Sequence, residues 1–122
     1  MQCVFCRIVA GEQASDVLYQ DDLITAFRDL RPQAPTHVLI VPNQHLTWMK
    51  QLLERDCSLL ATMFSKAHDL AQAAGLEHRG YRLVINTGPE AGQVIDHLHL
   101  HLIGGKPMRL EGMALRWKDQ RP

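Results

Sequence analysis

The chain has 122 residues, 46% of them hydrophobic, and thirteen basic and thirteen acidic side chains cancel to a net charge of zero. That length suits a single domain spanning residues 1–122, and the charge balance excludes a broad electrostatic footprint for DNA or RNA. No apolar run reaches the length of a membrane span, and the opening MQCVFCRIVAGEQ lacks the basic start and apolar core of a secretory signal, so a cytoplasmic protein with no membrane or nucleic-acid partner is expected.

Three cysteines, Cys3, Cys6 and Cys57, give an odd count and no disulfide framework. In a reducing compartment the Cys3-x-x-Cys6 pair reads as a metal or redox pair, and Cys57 as a small buried apolar residue. The segment from Cys3 to Ala10 suits one or two helical turns ended at Gly11. Val17–Gln20 and Ile24–Asp29 read as short strands around an Asp21-Asp22 turn. Leu30 to Pro35 carries two prolines and reads as a loop, and His37–Pro42 as an apolar strand closed by proline. From Cys57 to Ala74 the apolar residues recur at helical spacing, with Asp56 as N-cap and Gly75 as C-terminal stop. Tyr81–Asn86 and Ile95–Ile103 complete the strands, separated by a turn-rich loop from Gly88 to Gly92. The tail from Lys106 to Pro122 shows no period. Hairpin-like strands around one long helix point to an α+β fold with an antiparallel sheet and helices packed on one face.

The informative stretch is Asp96-His97-Leu98-His99-Leu100-His101-Leu102. On a strand, side chains alternate between faces, so the three histidines share one face at about 7 Å between successive Cα atoms, and the leucines share the other. Three histidines in strict alternation, with leucine in every gap, do not suit ordinary half-exposed polar positions. Two readings stay open on spacing alone. Imidazoles at i and i+2 can chelate a metal, or one imidazole can be a covalent nucleophile ordered by the others.

The chain resembles the histidine triad (HIT) hydrolases, named for such a strand. The resemblance runs from Cys3-Val-Phe-Cys through Ala26-Phe27-Arg28-Asp29, Pro32-Gln33-Ala34-Pro35-Thr36-His37, Val41-Pro42-Asn43-Gln44-His45, Gly80 to Asn86, and Gly92-Gln93 to Gly105. The Gly104-Gly105 pair resembles the Hint branch, the purine nucleoside phosphoramidases. The resemblance implies a five-stranded antiparallel sheet with one long helix and a short N-terminal helix. It also implies a homodimer whose sheet continues across the two subunits.

The same resemblance makes His99 the nucleophile, forming a nucleotidyl-imidazole that water hydrolyses. His101 contacts the phosphate, and His97 and His37 complete the histidine cluster. A neutral imidazole is available near pH 7, given an unperturbed pKa of about 6.5. Asn86 and Gln93 are amide donors bordering the phosphate, and Gly88 and Gly92 permit close backbone approach. Asp29 matches the ribose-binding carboxylate, and Phe5, Ile8, Phe27 and Leu30 match the base pocket. Val94 departs from the Hint pattern, where a hydroxyl residue often stands near the scissile bond. That departure puts help for the leaving amine in doubt. Trp117, in the tail, is a candidate contact to a partner subunit.

Cys3 and Cys6 are half of a zinc site by spacing. The resemblance adds His45 and His97, a closed Cys2His2 set and so a structural zinc, with no catalytic cofactor. Three functions follow. The leading one is hydrolysis of a purine nucleoside phosphoramidate or related nucleoside monophosphate derivative through His99. The others are a metalloenzyme with one ion on His97, His99 and His101, and a nucleotide-binding interaction protein with weak catalysis.

Overall fold

The computed structural model describes residues 3–108. A six-residue helix, α1 (Val4–Val9), opens the fold and is capped by Cys3. Strands β1 (Val17–Gln20), β2 (Ile24–Arg28) and β3 (Thr36–Pro42) follow, then helices α2 (Met49–Arg55) and α3 (Cys57–Ala73). Strand β4 (Tyr81–Ile85), a single 3-10 turn (Pro89–Ala91) and strand β5 (Leu100–Gly104) complete it. The strands form one five-stranded sheet in the order β1-β2-β3-β5-β4, antiparallel throughout.

Local chemistry explains most of these elements. Asp21 closes the first hairpin by accepting the N–H groups of Leu23 (2.8 Å) and Ile24 (2.9 Å) at one carboxylate oxygen. Asp56 caps α3 by accepting Ser58 N–H at 3.0 Å, and Gly75, at φ +78°, turns the chain away as expected. Helix α2 was not foreseen, because Trp48 supplies no side-chain cap and Leu52 is its single buried residue. A substitute for the cap comes from Gln51 Oε1, which accepts both the N–H and the hydroxyl of Thr47 at 2.6 Å.

Period-two alternation divides the sheet into two unlike faces. Ile24, Ala26, Val38, Ile40, Leu100 and Leu102 pack with Met63, Ala67 and Ala71 of α3 in one core. Phe27, Leu39 and Val41 face the other way and pack with Phe5 and Ile8 of α1. Helices therefore cover both faces, which corrects the expectation of one. Short as it is, α1 presents two buried side chains to the histidine face, and six residues give no amphipathic period long enough to read.

The last strand is also shorter than expected. It was read as Ile95–Ile103, yet pairing begins at Leu100, opposite Ile40. One step further along β3 lies Val41 and then Pro42, which has no N–H to continue a ladder. The chain from Ile95 to His99 takes bonds of its own: Leu98 N–H donates to Leu46 C=O at 2.7 Å, and His97 N–H to Ile95 C=O at 2.8 Å. Cys57, expected buried, is exposed at the start of α3, with its thiol 3.5 Å from Leu53 C=O. Ser58 beside it is exposed as well, and the helix buries its first side chain only at Leu59.

Leu100 is fully buried beneath α3. Replacing it with alanine is expected to lower unfolding free energy by about 2–5 kcal/mol, read from urea melts followed by far-UV circular dichroism.

Candidate active site

Each triad histidine is held by a different partner, and the partners assign the ring protons. His99 lies 2.8 Å through Nδ1 from its neighbour's carbonyl, His97 C=O. A carbonyl only accepts, so Nδ1 carries the proton and the lone pair sits on Nε2. His99 lines a cavity of about 450 Å³. His97 lies 2.8 Å through Nε2 from Pro42 C=O, which leaves its lone pair on Nδ1. That atom is 3.4 Å from Cys3 Sγ and 3.6 Å from Cys6 Sγ.

His101 is set by His37. Gln33 N–H donates to His37 Nδ1 at 3.0 Å, so His37 is protonated on Nε2. His37 Nε2 lies 3.0 Å from His101 Nδ1, toward which it donates, and 3.4 Å from Asp29 Oδ2. His101 must then carry its own proton on Nε2, which makes it a donor at the cavity it lines. The rings of His99 and His101 stand 4.9 Å apart, centre to centre.

Burial governs the charge of this cluster. It lowers the pKa of His37, and the Asp29 carboxylate offsets part of that effect. It lowers the pKa of His99 as well, against the His97 carbonyl and Asp29. His101 is pushed down to about 4, by burial first and then by facing His99 and His37. Near neutral pH all three rings are uncharged, the state in which an imidazole can be a nucleophile or a ligand.

The expected base-pocket residues Phe5, Ile8, Phe27 and Leu30 all line the cavity, joined by Leu39 and Ile103. Leu30 is 83% exposed and forms rim rather than floor. Leu39 and Ile103 were missed, although their places in the alternation set them on the histidine face. The Gln33 N–H was missed too, since a main-chain donor leaves no mark in a sequence. Asp29 lines the cavity, and its Oδ1 accepts Arg31 N–H at 2.8 Å. Asn86 lines it and donates from Nδ2 to Ala91 C=O at 2.8 Å, with Oδ1 buried and unpartnered. Gly92, at φ +88°, lines it as well.

Two expectations about the phosphate loop need correcting. The Gln93 amide is buried and already committed: Oε1 accepts Gly88 N–H (2.8 Å), and Nε2 donates to Thr47 C=O (2.7 Å) and Ile95 C=O (3.2 Å). It braces the loop and is not free to bind phosphate. Gly88 does not line the cavity; it lies against Trp48, where a Cβ would meet the indole at 3.6 Å. Val94 lines the cavity mouth and is 89% exposed.

His97 leaves the catalytic row and joins a second cluster. Cys3, Cys6, His45 and His97 offer ligand atoms all within 4.8 Å of one another. His45 Nδ1 is 3.1 Å from Cys6 Sγ. A tetrahedral zinc with bonds of about 2.3 Å to sulfur and 2.0–2.1 Å to nitrogen sets sulfur and nitrogen about 3.5 Å apart, close to these spacings. The His97 tautomer, fixed by Pro42 C=O, aims the correct nitrogen. Without a cation, burial and the adjacent Cys3 thiol push Cys6 up to about 11, and a divalent ion would reverse that. The donor set fits zinc.

The triad itself does not converge on one ion, because His97 faces the thiols while His99 turns Nδ1 to a carbonyl. Asp29, His37 and His101 also lie within 4.8 Å of one another. A metal on His37 Nε2 would drive the ring proton to Nδ1, against the Gln33 N–H donor. Hydrogen bonding accounts for that group better than an ion does.

Because His37, His99 and His101 are neutral when folded but protonate at about pH 6.5 when unfolded, their stabilising effect is complete above that pH and lost progressively below it. Unfolding free energies from urea melts between pH 7.5 and pH 5 are expected to fall, with a slope of up to about 1.4 kcal/mol per pH unit for each ring. A flat profile would contradict the assignment.

A family model described as HIT domain matches residues 10–108. The purine nucleoside phosphoramidase of Escherichia coli (strain K12) is 42% identical over 107 residues, 88% of this chain and 90% of the other. A 14 kDa zinc-binding protein of Zea mays is 43% identical over 107 residues, covering 86% of this chain and 83% of the other. The crystal structure of a HIT family hydrolase from Legionella pneumophila Philadelphia 1 superposes with a TM-score of 0.86 at 46% identity, covering 90% of this chain and 98% of that one. The resemblance expected from the triad and its flanking glycines is thereby met, and the chain belongs to the HIT domain family as a histidine-triad hydrolase.

Proposed function

We propose that the protein hydrolyses purine nucleoside phosphoramidates or related nucleoside monophosphate derivatives through a covalent nucleotidyl intermediate on His99. The observation that carries this reading is the His99 Nδ1 bond to the His97 carbonyl, which leaves the Nε2 lone pair for the cavity. The phosphoramidase relative supplies the substrate class.

In the first step His99 Nε2 attacks phosphorus and the bond from phosphorus to the leaving nitrogen breaks. The leaving amine takes a proton from solvent, since Val94 has none to give. His101 Nε2–H donates to a phosphoryl oxygen as negative charge builds there, with His37 and Asp29 fixing the orientation of its ring. In the second step water attacks phosphorus, the bond to Nε2 breaks, and the nucleoside monophosphate leaves. Asp29 accepts the ribose hydroxyls, and Phe5, Ile8, Phe27 and Leu30 enclose the base. A zinc on Cys3, Cys6, His45 and His97 supplies structural cross-linking of the N-terminus to the active-site strand and takes no part in either step. Among the described residues β4 lies at an edge of the sheet, and that position together with α3 supports a homodimer with a continuous sheet. Trp117 lies outside the described residues.

His99→Ala is expected to lower turnover of an adenosine phosphoramidate by at least about 10³-fold while leaving AMP affinity within a few-fold. An alkali-quenched mixture of the native protein and substrate should show, by intact mass, one nucleotidyl group. Full activity in the variant would refute the nucleophile, and tight AMP binding without turnover of any phosphoramidate would favour the interaction-protein reading. Cys6→Ser is expected to abolish zinc uptake, measured by native mass spectrometry, and to lower Tm by several degrees.

A further inference from the structure

Helix α1 serves two clusters at once. Its cap residue Cys3 accepts Cys6 N–H at its Sγ, 3.4 Å away, and the two thiols meet His45 and His97. The same short helix lends Val4, Phe5 and Ile8 to the cavity wall. Between the clusters stands the Phe5 ring, edge-on to His97 at 5.8 Å and to His99 at 5.2 Å. Movement at the thiols therefore has a direct path to the nucleophile. Both cysteines are only half buried, within reach of a small solute.

We propose that the Cys3–Cys6 pair is a redox latch on the nucleotide cavity, resting on the zinc and nucleotide readings above. With the metal in place, the thiolates hold the start of α1 to His45 and His97, and so hold Phe5 against His99. A peroxide opens the latch. One thiolate sulfur attacks a peroxide oxygen, the O–O bond breaks, and a sulfenic acid forms as water leaves. The second thiolate displaces hydroxide from that sulfur and the S–S bond closes. Two thiolates lose two electrons, the peroxide and two solvent protons become two waters, and zinc departs as the hydrated ion. Cysteines three positions apart across one helical turn suit such a bridge, and all four ligand atoms already lie within 4.8 Å of each other. Once bridged, the sulfurs no longer bind the imidazoles, and α1 loses the contacts that set its angle on the sheet. A dithiol and fresh zinc reverse the change.

The test uses the full chain with Cys57→Ser, which removes the exposed thiol on α3, loaded with zinc. Zinc content is read by native mass spectrometry and AMP affinity by calorimetry. Both are measured before one equivalent of hydrogen peroxide, after it, and after dithiothreitol with added zinc. The expected result is loss of zinc, a disulfide between Cys3 and Cys6 in the peptide map, and a rise of about tenfold or more in the AMP Kd, reversed on reduction. Unchanged AMP affinity after zinc has gone and the disulfide has formed overturns the latch while leaving both underlying readings intact. Zinc that stays bound under peroxide, or a protein that takes up none, overturns the latch through the metal alone. Failure of the reduced, loaded protein to bind AMP overturns it together with the nucleotide reading.

Discussion

Two main-chain carbonyls decide what the triad can do. Pro42 C=O accepts a hydrogen bond from His97 Nε2–H, and His97 C=O accepts one from His99 Nδ1–H. The two neighbouring histidines thus carry their lone pairs on opposite ring nitrogens, one toward thiols and one toward the cavity. Exchange either tautomer and a ring proton replaces the lone pair that faces the thiols or the cavity, leaving nothing there to act as ligand or nucleophile. Carbonyl acceptors suit this task better than carboxylates here, since they orient the ring without adding charge to a buried site.

The placement of those carbonyls follows from the end of β3. Pro42 cannot extend the ladder, so pairing with β5 stops at Leu100 and the preceding residues leave the sheet. His97 and His99 sit on this released stretch, while His101 stays on the strand. The sheet's other face carries the apolar cluster packed under α3, so the strand that presents the histidines is anchored from behind by Leu98, Leu100 and Leu102. One residue type thus takes three arrangements: His97 with its lone pair toward the thiols, His99 with its lone pair toward the cavity, and His101 as a donor aligned by His37.

Much of this was legible in the amino-acid order. The alternation of histidine and leucine placed chemistry on one face and core on the other, and Asp56 and Gly75 marked the ends of α3. The Cys3-x-x-Cys6 spacing, with His45 and His97 from the family resemblance, named the second cluster. What escaped depends on main-chain geometry or on the absence of strong local signals. Helix α2 has no side-chain cap, and α1 is too short for a period, so its packing opposite α3 could not be read. Gln93 looked like a phosphate donor because its composition and position suited one. Only coordinates reveal that all three of its hydrogen bonds go to the backbone. The Gln33 N–H that fixes His37 is equally silent in sequence.

That committed glutamine has a consequence for association kinetics. By joining Gly88, Thr47 and Ile95, it stitches the loop before His97 to the segment after β3. A loop braced this way has surrendered its conformational entropy during folding, well before any ligand arrives. A ligand entering the cavity then demands little rearrangement of that backbone, and selectivity falls to the solvent-facing rim of Leu30 and Val94.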